Sequence, residues 1–127
     1  MSNITGIHHV AMKCSTLEDY EKCIKFYNEV LELPIARQWK TGIMLDTGSG
    51  LIEIFNDAND VLPQGSIRHY ALAVKDVDAV VARVREAGYK ITTEPKDIVI
   101  PSEIPFPARI AFCEGALGEE IEFFCEK

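Results

Sequence analysis

The chain spells one order of elements twice. Near its start "GIHHVAMKC" reads as a strand, "STLEDYEKCIKFYNEVLEL" as a helix, and "ARQWK", "GIMLDTG" and "GLIEIFN" as three more strands, with Thr47–Gly50 as a hairpin turn. Further on, "SIRHYALAVKD", "VDAVVARVREAG", "YKITTEP", "ARIAFCE" and "EEIEFFCE" repeat that order. The period is about 60 residues, longer than the ~20–50 of solenoid arrays, and there are only two copies, so the copies pair rather than stack. A small sheet with one helix leaves a face uncovered and needs a second layer. The expected fold class is therefore α+β: two tandem βαβββ modules, about 4–56 and about 67–127, joined by the polar stretch about 57–66. Together they are expected to form one domain over 1–127, with a curved, partly closed, antiparallel-rich sheet around a cleft and one main helix per module.

The first helix should bury the stripe Leu17, Tyr20, Ile24, Tyr27 and Leu31, with Ser15 or Thr16 as its cap, Glu18 and Asp19 in its first turn and Pro34 at its end. The second should bury Val77, Val80, Val81 and Val84 and stop at Gly88. Strand alternation sets His9 with Ile7 and Ala11 on one face, and His69 with Ile67, Ala71 and Ala73 on the equivalent face of the second copy. It assigns His8, Val10 and Met12 to the face under the helix.

Composition removes several classes of partner. A net charge of -7, from 20 acidic and 13 basic residues, offers no basic stripe for nucleic-acid phosphates or anionic membranes. No apolar run reaches the ~20 residues of a membrane span, and "MSNITGIHHV" does not read as a signal peptide, so a cytoplasmic location is expected. Cys14, Cys23, Cys113 and Cys125 form no C-x-x-C pair and are expected to be reduced, small hydrophobes.

The closing strands of the two copies also correspond. "LIEIF" sets Glu53 between two isoleucines, and "EEIEFF" sets Glu122 between Ile121 and Phe123. A mid-strand carboxylate with such neighbours is costly to bury unless something pairs with it. Two carboxylates and two histidines at matching positions of a repeat would all be satisfied by one divalent cation. Their mixed N and O donors suit Zn, Ni, Co, Fe or Mn better than Cu(I) or Ca, and an octahedral ion would keep two positions open. Glu119, Glu120 and Glu126 are read as solvent-facing charges. Trp39, Met44, Phe55, Phe106 and Phe124 are read either as cavity lining or as ordinary packing. Lys13, Arg37, Arg68 and Arg109 are candidates for an anionic substrate group, or else surface charges.

On "IHHVAMKC", "CIKFYNEVLELP", "GLIEIFN", "IRHYALAVKDVDAVVARVREAG" and "GEEIEFF", the sequence resembles the vicinal oxygen chelate superfamily over nearly its whole length. The resemblance implies metal ligands at His9, Glu53, His69 and Glu122, and it is nearest to the short bacterial glyoxalase I enzymes. It implies a lactoylglutathione lyase-like activity: proton transfer next to a carbonyl, through an enediolate, on a 2-oxoaldehyde hemithioacetal or a related small molecule. Glu122 would be the base and Glu53 its symmetric alternative, with one Ni, Co or Zn ion per site. Lys13 stands where glyoxalase I commonly has Arg, and Asn56 lies one residue short of its Asn, so glutathione is implied less strongly than the reaction. With Arg37 and Arg109, these two are the candidate substrate contacts. The resemblance also implies a homodimer. The other readings it carries are a methylmalonyl-CoA epimerase-like enzyme, a non-catalytic small-molecule or antibiotic-binding protein, and an Fe(II) dioxygenase.

Overall fold

The computed structural model describes residue 2, residues 5–60 and residues 67–127, so residues 61–66 of the expected linker lie outside the described residues. The chain divides into two compact units, Met1–Leu62 and Pro63–Lys127. Each holds one copy of the repeat, built as its own four-stranded mixed sheet with one helical segment. Among the described residues, no helix is long and apolar enough to cross a membrane.

In the first unit β1 (His9–Lys13) leads into α1 (Leu17–Ile24), followed by β2 (Ile35–Trp39), β3 (Gly42–Asp46) and β4 (Leu51–Phe55). The sheet order is β1-β4-β3-β2, with β1 parallel to β4 and the other neighbours antiparallel. Thr16 caps α1, its hydroxyl accepting the Asp19 N–H at 3.1 Å. Tyr20, Cys23 and Tyr27 keep the three-and-four spacing and are buried with Ile43, Leu45, Ile52 and Ile54. Leu17 departs from the expected stripe and is 67% exposed. As the first helical residue it leans toward the helix start, away from the packed turns.

Beyond Ile24 the helix changes pitch. Lys25–Val30 is π-helical, and the Leu31 N–H donates to the Phe26 carbonyl, five residues back, at 3.0 Å. The wider turn lets the consecutive residues Phe26 and Tyr27 both be buried, their rings edge to face with centroids 5.0 Å apart. Glu32 then takes a left-handed φ of 60° just before Leu33 and Pro34.

The second unit runs β5 (Tyr70–Ala73), α2 (Val77–Glu86), β6 (Ile91–Ile100), β7 (Phe106–Glu114) and β8 (Glu120–Glu126), in the sheet order β5-β8-β7-β6. Asp76 caps α2 by accepting the Ala79 N–H at 3.0 Å. Val77, Val81 and Val84 are buried, while Val80 is only half-buried. Gly88 ends the segment at φ 91°, in the left-handed region open to glycine. β6 continues through Pro95, where the sequence suggested an end. It is the edge strand and shifts register between Thr93 and Lys96, so no ladder bond is asked of the proline nitrogen.

Arg109 fastens α2 to this sheet. Its Nε and Nη2 donate to the Asp78 carboxylate at 2.7 and 2.9 Å, and its Nη1 donates to Asp97 at 3.1 Å. The guanidinium holds the Asp78 carboxyl below its ordinary 3.8; Asp97 is lowered by Lys127 first and Arg109 second. A carboxyl lowered on folding contributes stability above its unfolded pKa and loses that contribution as pH falls through the folded one. Arg109→Gln should therefore unfold at lower temperature than wild type at pH 7. Melting curves taken at decreasing pH should show the gap closing below about pH 4.

Candidate functional site

Each unit sets one histidine beside one carboxylate by the same construction. In the first, β4 lies inside the sheet between β1 and β3, and Glu53 pairs in register with Ala11 on one side and Met44 on the other. Ile52 and Ile54 turn to the buried side, so Glu53 projects from the opposite face. His9, two residues before Ala11, shares that face. Its Nε2 lies 3.4 Å from Glu53 Oε1. Glu53 is the one buried charged residue among the described residues, at 7% exposure.

In the second unit β8 occupies the same inner place. Glu122 pairs with Ala71 and Phe112, and His69, two residues before Ala71, brings its Nε2 to 3.5 Å from Glu122 Oε1. Partial burial pushes the Glu122 carboxyl above its ordinary value; the neighbouring His69 opposes this and Glu120 adds to it. The His69 ring meets the Phe112 ring edge to face, with centroids 5.2 Å apart. Sequence alternation alone did not single out Phe112, although its register opposite Glu122 places it there.

The donor chemistry of each pair fits a divalent ion. Two ligands about 2.1 Å from one ion, at octahedral or tetrahedral angles, stand about 3.0–3.4 Å apart. The observed separations of 3.4 and 3.5 Å approach that span and exceed the ~2.7–2.9 Å of a charge-assisted hydrogen bond. Among the described residues no three histidine, cysteine or acidic side chains come close enough together to hold an ion. What recurs is the pair.

The remaining candidates separate cleanly. Lys13 shares the His9 face, with its Nζ 5.4 Å from the centre of the Phe55 ring and 3.5 Å from Asp57. Arg37 is in register with Met44, so it stands on the Glu53 face of the edge strand and is exposed. Asn56 braces the β2–β3 turn, its Nδ2 donating to the Lys40 carbonyl at 3.1 Å. Arg109 lies on the α2 side of its sheet, opposite Glu122, and is committed to Asp78 and Asp97. Trp39 lies over Gly42, where any Cβ would strike the indole, and packs edge-on to Phe55. Phe106 stacks on Phe124, with centroids 6.1 Å apart.

Two readings need correction. His8 is not under the helix; it precedes the first paired residue of β1, is exposed, and bonds to His9. Its carbonyl still accepts the Leu51 N–H at 3.0 Å, so the backbone belongs to the ladder while the side chain is held by the neighbouring ring. Glu119 is not simply solvated, since it accepts the Leu117 N–H at 2.8 Å and closes its own turn.

The sequence matches the family model of the Glyoxalase/Bleomycin resistance protein/Dioxygenase superfamily over residues 6–123. No curated protein matches it. Among solved structures, it resembles a glyoxalase/bleomycin resistance protein/dioxygenase from Alicyclobacillus acidocaldarius at 17% identity and TM-score 0.69, covering 99% of this chain and 95% of that one. A glyoxalase family protein from Enterococcus faecalis is similar at 24% identity and TM-score 0.67, over 94% and 97% of the two chains. A lactoylglutathione lyase from Agrobacterium tumefaciens is similar at 16% identity and TM-score 0.65, over 96% and 94%. On the extent of the family match, this chain belongs to the Glyoxalase/Bleomycin resistance protein/Dioxygenase superfamily.

Proposed function

We propose that the chain is a metal-dependent lyase or isomerase of the glyoxalase I type, with His9 and Glu53 of the first unit and His69 and Glu122 of the second as its metal-ligating residues. The observation that supports this best is the recurrence of one histidine–carboxylate pair, 3.4 and 3.5 Å wide, on equivalent strands of both units. Ni, Co or Zn suits these donors, with Fe or Mn next. When bound, such an ion supplies Lewis acidity to neighbouring oxygens of a substrate.

Glu122 is the proposed base. Half-buried on the inner strand and 3.5 Å from His69, it would take a proton from the carbon next to a carbonyl and return it one atom away, a transfer that leaves atoms and charge balanced. Glu53 is the symmetric alternative. Lys13 and Arg37, on the Glu53 face, are proposed to meet an anionic end of the substrate. Asn56 and Arg109 are already committed to structural partners, so no substrate contact is proposed for them. The substrate class is a small 2-oxoaldehyde hemithioacetal or a related hydroxy-carbonyl compound. The similarity to the Agrobacterium tumefaciens lactoylglutathione lyase supports the same class.

The test is an isomerisation assay on hemithioacetals of a 2-oxoaldehyde with a panel of thiols, run with metal-stripped and metal-loaded protein. Turnover should require metal, and Glu122→Gln should lower it by about 10²–10⁴-fold. Metal-loaded protein that turns over none of these substrates would overturn the catalytic reading. Oxygen uptake with catechols would move the chain to the dioxygenase branch.

A further inference from the structure

A third imidazole stands beside the pair in the first unit. His8 Nδ1 lies 2.9 Å from His9 Nδ1, with the two rings 85° apart. A hydrogen bond between two ring nitrogens requires one to carry hydrogen and the other to be bare. The remaining His9 nitrogen, Nε2, is the atom 3.4 Å from Glu53.

We propose that His8 is a positioning residue: it accepts the hydrogen of His9 Nδ1 and so leaves the His9 Nε2 lone pair free to bind a divalent ion. This rests on the metal reading above. A neutral imidazole carries one N–H, and a partner accepting at one nitrogen selects the tautomer whose other nitrogen is a donor atom to metal. In that arrangement the hydrogen of His8 itself sits on its Nε2. His8 is exposed, so that N–H is open to solvent. The opposite assignment would place hydrogen on His9 Nε2, between the ring and Glu53, and block the ligand position.

The repeat supplies an internal contrast. The residue before His69 is Arg68, whose guanidinium has no lone pair to accept a hydrogen bond. The His69 ring is instead steadied by the edge of Phe112. One histidine is thus oriented by a hydrogen bond and its counterpart by an aromatic wall. His8 also borders an open cleft lined by Thr5, Asp46, Ser49 and Gly50, which leaves room to vary it without repacking a core.

The experiment is long-range ¹H–¹⁵N NMR on ¹⁵N-histidine-labelled protein, metal-free and with Zn²⁺, alongside calorimetric Zn²⁺ titration, for wild type, His8→Ala and His8→Gln. In zinc-loaded wild type His9 should carry hydrogen on Nδ1 and His8 on Nε2. His8→Ala should bind zinc about 10–100-fold more weakly. His8→Gln, whose amide oxygen also accepts, should recover most of that loss. Unchanged zinc affinity in His8→Ala, or zinc coordination through His9 Nδ1, overturns the proposal. A wild type that takes up no zinc sinks the metal reading itself. The metal-free spectra then judge His8 separately, and equal His9 tautomer populations in wild type and His8→Ala would remove its positioning role.

Discussion

Glu53→Gln should abolish the thermal stabilisation that Zn²⁺, Ni²⁺ or Co²⁺ confers on the wild type. An ion at about 100 times its Kd stabilises the folded state by about 2.7 kcal/mol, a rise on the order of 10 °C for a chain of this size. The substitution keeps the shape of the side chain and removes the negative charge and one strong donor. In metal-free protein the same change should be neutral or slightly stabilising, since Glu53 is 7% exposed and the amide avoids burying a carboxylate. Opposite signs with and without metal are hard to produce by misfolding. Scanning calorimetry on both variants, with and without metal, reads them directly. Equal metal-induced shifts in the two proteins would take Glu53 out of the ligand set.

Phe123→Ala should cost about 3–5 kcal/mol of stability. Phe123 is fully buried on the inner strand β8, in register with Ala111 and Leu72, on the side of the sheet that packs with Ile121 and Cys113. Truncation leaves a void the size of a ring among side chains that have no free space to move into. The adjacent Phe124 points to the other face, stacks on Phe106 and is half-buried, so Phe124→Ala should cost less. Urea unfolding of both variants compares them. Equal losses would mean that the two faces of β8 are wrongly assigned.

The repeat made most of the fold legible, because strand and helix periodicities are local and the two copies corroborate each other. The matched positions of His9 and His69, and of Glu53 and Glu122, followed from the same comparison. Features that depend on the neighbouring strand did not show. Pro95 reads as a strand end unless β6 is known to be an edge. Arg109 reads as a free cation until Asp78, 31 residues away, is folded against it. His8 was misplaced because alternation does not foresee a bond between neighbouring rings. The π-helical turn is invisible to a 3.6-residue stripe, although the adjacent pair Phe26 and Tyr27 was its trace.

That turn also bears on how two copies of one plan can diverge. An i→i+5 ring takes up one residue more than an α turn. A single inserted codon there would be absorbed as a local loosening of pitch, with no loop to lengthen and no strand to slip. Deleting one residue between Lys25 and Val30 should tighten the segment into ordinary α-helix and leave everything beyond it in place. A helix with such a turn can take up a residue without lengthening a loop, a kind of variation that comparisons confined to loops would overlook.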